Sequence, residues 1–162
     1  MSTSQNKDNI KKTPEKLLDC KKLKFGIIIS EWHSDITFKM AELAKDILQI
    51  ANCPKGNIHT IKVPGSFELP LAAKMLAKKK NINGIICIGC IAKGETPHFD
   101  FISSSVSDAI MQLNLELNIP IVFGILTVDN ITQAEARINK GAEAAKTLIK
   151  MTEINLQLKT WI

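Results

Sequence analysis

"GIICIGCIAKGETPHF", residues 84–99, decides the fold. Residues 84–91 are isoleucine, cysteine and glycine without a polar interruption, as in a strand buried on both faces. The run breaks at Lys93 and Gly94. Thr96 and Pro97 then read as N-cap and first helical residue, because proline at that position gives up an N–H that would lack a partner anyway. A strand, a short turn and a helix in this order form half of a parallel βαβ unit. Cys87 and Cys90 lie three apart on the strand and so point to opposite faces, which suits neither a metal chelate nor a disulfide.

The same grammar repeats along the chain. Strands are expected over 24–29, 58–63, 84–91 and 120–127. The first is followed by a helix with Ile36, Met40, Ala44, Ile47 and Ala51 on one face. The second leads through "PGS" into a helix over about 66–80. After the third strand Ile102, Val106, Ala109, Leu113 and Leu117 form an apolar stripe. The last helix begins near "DNITQ", where Asn130 and Gln133 fit a capping box. The order βαβαβαβα with near-continuous apolar strands predicts an α/β three-layer sandwich, an open, mainly parallel four-stranded sheet with helices on both faces.

Length and charge bound the rest. The 162 residues suffice for one domain with a sizeable core. The division expected is a lysine-rich, flexible tail over 1–23, a single domain over 24–155 and a C-terminal tail over 156–162. Of the +5 net charge, residues 1–24 carry four units, seven lysines against Asp8, Glu15 and Asp19, so the body is close to neutral. No basic stripe interleaved with aromatics is present, which argues against nucleic acid. No apolar run reaches the roughly 18–20 residues of a membrane span, and residues 1–19 lack the apolar centre of a signal peptide. A cytoplasmic location is expected. The segment before the first strand is free to cover a sheet edge, in its own subunit or in a neighbour.

In open α/β sheets ligands bind beyond the carboxyl ends of the strands. Those ends deliver "SEWHSD" (30–35), "VPGSFE" (63–68), "GCIAKGETPH" (89–98) and "FGILTVDN" (123–130). The Thr96 turn reads as a plain helix cap or as a phosphate site at a helix N-terminus. His98, beside it and away from an obvious core position, suits proton transfer. Trp32 either packs beneath a loop or offers a flat face for an aromatic ring. Glu68 either favours a helix N-terminus or accepts hydrogen bonds from a polyol. Arg137, the only arginine, is either a solvated charge or a bidentate phosphate ligand. Spacing assigns no role to His33 or His59, and no metal cluster is legible.

Several segments, in order, resemble the lumazine synthase family of riboflavin biosynthesis: "FGIIISEWHSDIT" (25–37), "VPGSFELPLAAKMLA" (63–77), "GCIAKGETPHFDFI" (89–102), "IPIVFGILTVDNITQAEAR" (119–137) and "KGAEAA" (140–145). The resemblance spans about 25–150. It implies a flavodoxin-like sheet and a transferase that condenses 5-amino-6-ribitylaminouracil with 3,4-dihydroxy-2-butanone 4-phosphate. The product is 6,7-dimethyl-8-ribityllumazine, formed with loss of phosphate and water and without metal or organic cofactor. It further implies homopentamers, in some members sixty-subunit shells, with active sites between subunits and riboflavin synthase as a possible partner. By the same resemblance Trp32 stacks on the pyrimidine, Ser66 and Glu68 hold the ribityl chain and ring, Glu95 and Thr96 bind phosphate, and His98 moves protons. From the neighbouring subunit Phe123 lines the pyrimidine pocket and Arg137 clamps the phosphate, and Lys140 is a further substrate-binding residue.

Three features depart from the family pattern. His33 stands where asparagine is usual, which implies a changed polar contact to the ribityl chain, the N-terminal tail is long, and only Ile138 and Asn139 separate Arg137 from Lys140. Ile131, Ala134, Ile138, Ala142, Ala145 and Ile149 keep helical spacing through that junction. One continuous helix is therefore expected, turning Lys140 away from the substrate and favouring a pentamer over a full shell. Two other readings compete: a non-catalytic flavin- or nucleotide-binding module, and a shell scaffold without activity.

Overall fold

Four strands form where the β-branched runs stand: β1 (Phe25–Ser30), β2 (Ile58–Val63), β3 (Gly84–Ala92) and β4 (Ile121–Val128). In the computed structural model, which describes residues 16–79 and 81–161, they pair in one sheet of order β2-β1-β3-β4. Every pairing is parallel. All of β1, and all of β3 except Ala92, is buried, as expected for inner strands covered on both sides. Edge strand β2 is exposed from His59 to Lys62.

The period of two along each strand divides the core. Ile27, Ile29, Ile86, Ile88, Cys90, Val122 and Leu126 face α1 (Ser34–Ile50), α4 (Ile131–Glu135) and α5 (Lys140–Thr160). Ile28, Ile85, Cys87, Ile91, Ile121 and Ile125 face α2 (Leu69–Ala77) and α3 (His98–Glu116). Cys87 and Cys90 do fall on opposite faces, and both are free thiols. The three-layer α/β sandwich read from the sequence is the observed one.

Local chemistry sets the boundaries. Helix α1 ends in a Schellman motif: Asn52 takes a left-handed φ of 66°, its amide donates to Gln49 O, and the Cys53 amide donates to Leu48 O at 2.9 Å. Asn130 caps α4 by accepting from the Gln133 amide at 3.0 Å. The Gln133 side chain closes the box one residue further out, on the Asp129 amide. Asn114 fastens α3 to the start of β4, donating to Ile121 O at 2.7 Å and accepting from Ile121 N at 2.9 Å.

Several expectations need correction. The segment after β2 opens with a 3-10 turn over Ser66–Glu68 before α2, which ends at Ala77. Helix α3 starts at His98, not Pro97, and its N-cap is Pro97 without a side-chain cap bond. Residues 17–23 are not a free tail: Leu17, Leu18 and Leu23 pack on the core, Cys20 is buried, and its amide donates to Ala51 O at 2.7 Å. Residues 1–15, where the rest of the expected tail or edge strand falls, lie outside the described residues. At the other end α5 continues to Thr160, past residue 155.

The largest correction concerns the junction before α5. The chain forms two helices, α4 and α5, not one. Between them the amides of Arg137, Lys140 and Gly141 donate three residues back, to Ala134, Arg137 and Ile138. This tighter winding breaks the register that the apolar spacing appeared to continue. The cause lies at Gly141, whose Cα sits against the backbone carbonyl of Met40 with no room for a Cβ. That close approach seats α5 on α1, and the four residues 136–139 absorb the change of course.

Candidate active site

The strand order reverses between β1 and β3, so the chain leaves β1 for one neighbour and crosses back to the other. Such a switch point opens a crevice beyond the strand ends. Here it is a cavity of about 440 Å³, within the range of small-molecule sites. The loop after β1 supplies Trp32 and His33, the turn after β2 supplies Pro64 to Glu68, and the end of β3 with the start of α3 supplies Gly94, Thr96, His98, Phe99 and Ile102.

Each side chain is held by its local backbone. The loop after β1 is tied to the end of β2, with Glu31 N donating to Val63 O at 2.8 Å and Trp32 N to Pro64 O at 3.1 Å. Trp32 is 69% exposed, which removes the reading of a ring packed beneath a loop and leaves a free aromatic face. Gly65 N donates to Glu68 Oε2 at 3.0 Å, fixing the carboxylate in the turn. Ser66 is buried, and its Oγ is without a hydrogen-bond partner among the described residues. Gly89 lies against that hydroxyl, where a Cβ would collide with it.

At the third strand end Thr96 and His98 are exposed. Asp100 and Phe101 are the first residues of α3 whose amides reach a carbonyl, both to Pro97, so the N–H groups before them are open to a ligand. Thr96 does not cap the helix, which leaves its hydroxyl uncommitted. Gly94, Thr96 and the first turn of α3 thus present uncommitted donors on the cavity wall. Glu95 is exposed in the same turn but does not line the cavity.

Phe123, Arg137 and Lys140 lie elsewhere. They line a separate groove of about 680 Å³ along β4, between α3 and α5. Phe123 is 40% exposed, Arg137 donates to Gln133 O at 2.8 Å, and Lys140 pairs with Glu143. Within one chain the residues named from the sequence thus divide into two groups on two surfaces.

Sequence reasoning passed over Phe99 and Ile102 as cavity residues, and named His33 only as a departure from the family pattern. Ile102 stands one turn after His98, so an i, i+4 reading from His98 would have found it. His33 carried no periodic signal. Among the described residues no cluster of three or more His, Cys, Asp or Glu could hold a metal ion. No described helix is long and apolar enough to cross a membrane.

An open parallel sheet with an aromatic, a carboxylate, a histidine and an unfilled helix start lining a cavity at its switch point defines an α/β protein with a small-molecule-sized crevice. Comparison with known proteins is more specific. The sequence model of 6,7-dimethyl-8-ribityllumazine synthase matches residues 22–155. Proteins of that name in Cytophaga hutchinsonii, Parabacteroides distasonis and Nitratidesulfovibrio vulgaris are 48%, 42% and 41% identical, over 78%, 85% and 91% of this chain and 83%, 89% and 97% of their own lengths. The chain belongs to the 6,7-dimethyl-8-ribityllumazine synthase family, the transferases of riboflavin biosynthesis.

Proposed function

We propose that the protein condenses 5-amino-6-ribitylaminouracil with 3,4-dihydroxy-2-butanone 4-phosphate to give 6,7-dimethyl-8-ribityllumazine. One observation carries the residue assignment: Trp32, Ser66, Glu68, Thr96 and His98 leave three different strand ends and converge on one cavity. Trp32 stacks on the pyrimidine, and Ser66, with its unpartnered hydroxyl, and Glu68 bind the ribityl chain and ring. The Thr96 turn, with Glu95 beside it, takes the phosphate.

The chemistry needs orientation and proton transfer more than a powerful nucleophile, because the substrate brings its own amine. The amine adds to the ketone carbonyl, and water leaves as the C=N bond forms. Loss of a carbon-bound proton expels inorganic phosphate. The enol that results tautomerises to a ketone, and the second amine closes the ring on this new carbonyl with loss of water. His98, exposed at the cavity mouth, accepts and returns protons in these steps. No step requires a cofactor.

A second copy completes the site. The phosphate turn has no guanidinium in its own cavity, whereas Arg137, with Phe123 and Lys140, lines an open groove of the same chain. Set against the cavity of a neighbour, that groove supplies a bidentate phosphate ligand and an aromatic wall. Phe67, Leu71 and Met75, spaced four apart and 58–65% exposed, offer apolar surface for such an assembly, as do Phe101, Met111 and Leu115 on α3. The reading is a cytoplasmic homopentamer, with riboflavin synthase as the enzyme that takes the product onward.

The experiment is a mixing assay in which both substrates are combined with protein and lumazine fluorescence is followed against the uncatalysed rate. Acceleration supports the enzyme; a background rate from folded protein favours a binding module or scaffold.

A further inference from the structure

Trp32 is exposed, so packing does not fix its ring; its place follows from the backbone that carries it. That backbone joins the last residue of β1, Ser30, to the first of α1, Ser34. Pairing of β1 with β3 stops at Ile29↔Ile88, which opens the crevice and leaves the Ser30 carbonyl past the last β3 pair. Buried Thr37, on α1, supplies a donor there, with its Oγ1 2.7 Å from Ser30 O. A helical threonine commonly bonds its hydroxyl to the carbonyl four residues back, which serves the helix alone. Here that carbonyl, His33 O, already accepts from the amides of Ile36 at 2.9 Å and Thr37 at 3.0 Å. The hydroxyl reaches seven residues back instead. Thr37 thus holds both ends of the Trp32 loop, Ser30 by its side chain and His33 by its amide. Ser30, also buried, adds a bond within the loop, its Oγ donating to Trp32 O at 3.4 Å. Ser30 and Thr37 are two of the four buried polar residues among those described, and both direct their hydroxyls at this loop.

We infer that Thr37, with Ser30, is a positioning residue for the reaction: it touches no substrate, but it fixes the place of the Trp32 ring and through it the affinity for the ribityl-bearing substrate. This rests on the proposed function, in which Trp32 stacks on the pyrimidine. A ring on a loose loop loses conformational freedom when it stacks, whereas a loop already held by hydrogen bonds has little left to lose. The clamp therefore raises affinity without a contact to the ligand. Glu31 N and Trp32 N anchor the loop to Val63 O and Pro64 O at the end of β2, and Thr37 anchors it to α1.

The test uses the full chain with Trp161→Phe as parent, which leaves Trp32 as its single tryptophan, and adds Thr37→Val, Thr37→Ser or Ser30→Ala. Trp161 is exposed at the end of α5 and lies outside the cavity. Quenching of Trp32 emission by 5-amino-6-ribitylaminouracil alone gives Kd without turnover. Steady-state kinetics give kcat and both KM values, and urea unfolding gives the midpoint. Valine keeps the shape and loses the hydroxyl; serine keeps the hydroxyl and loses the methyl. Thr37→Val is expected to raise Kd and KM for this substrate about fivefold, the scale of one hydrogen bond, with kcat and KM for the butanone phosphate within about twofold of the parent. Thr37→Ser should bind as the parent does while its midpoint falls, since the lost methyl weakens packing and not the clamp. Ser30→Ala, which removes a longer bond, should raise Kd about twofold. Should Thr37→Val not fold, an unchanged Kd in Ser30→Ala overturns the inference. Parent affinity in Thr37→Val, equal losses in the valine and serine variants, or a matching decline in kcat and both affinities would also overturn it alone. Absence of both quenching and acceleration in the parent would remove the proposed function and this inference with it.

Discussion

The amide of Gly65 donates to a carboxylate oxygen of Glu68 at 3.0 Å, closing the turn that carries Ser66 and Glu68 from β2 into α2. Under the proposed function Glu68 serves both the helix start and the substrate. Glu68→Gln keeps an oxygen for Gly65 but removes the charge, so it should leave stability nearly intact while raising KM for the ribityl-bearing substrate. Glu68→Ala loses both and should also cost about 0.5–2 kcal/mol, the usual worth of a cap. Urea unfolding beside steady-state kinetics separates the two effects.

His98 and Arg137 line different cavities of one chain. His98→Ala should lower kcat about 10²–10⁴-fold with the fold retained, since the side chain is exposed. Arg137→Ala should act mainly through the phosphate-bearing substrate. If sites form between copies, co-assembled His98→Ala and Arg137→Ala chains regenerate some sites with both groups intact. Activity of the mixed oligomer well above that of either parent is expected; no recovery after verified mixing would place the complete site within one chain.

Gly141 meets the Met40 carbonyl so closely that a Cβ has no space. Gly141→Ala improves helix propensity, worth about 1 kcal/mol in an exposed helix, yet here it must push α5 away from α1. The expected outcome is a net loss on the order of 1–3 kcal/mol, read as a lower urea midpoint. Lys140 and Arg137 should shift with α5, so KM for the butanone phosphate should rise as well.

Burial pushes the Cys87 thiol up to about 12 and the Cys20 thiol to about 11, with the neighbouring Cys53 and Asp19 adding to the latter. Both are held protonated in the folded chain, while the unfolded chain ionises them from about pH 9 upward. The unfolded state then binds fewer protons, so stability should fall as pH rises from about 9 toward 11. Below pH 9 these groups should contribute no slope. Denaturant midpoints across pH 8–11, with Cys87→Ala showing a shallower decline, check the sign. Thiol reagents at pH 8 should label Cys87 only on unfolding, because the reactive thiolate is scarce and buried.

What is local in this protein was legible in its sequence. Apolar runs without alternation marked the strands, and "DNITQ" marked a capped helix start, because strand burial and capping depend on residues a few positions apart; "GETPH" and "PGSFE" marked the ends of strands but not the first helical residue. The opposite facing of Cys87 and Cys90 followed from the two-residue period alone. The tertiary structure decided the rest. The order β2-β1-β3-β4 places β4 a full strand beyond the switch point, and Phe123 and Arg137 line a groove along it, apart from the cavity of Trp32 and His98. The break between α4 and α5 depends on Gly141 meeting Met40, residues about a hundred positions apart whose contact leaves no mark on apolar spacing. The left-handed backbone of His33, which hydrogen bonds to the end of β2 and the start of α1 hold in place, was likewise not legible in the sequence. Pattern records which side chains avoid water; it does not record which backbones must touch.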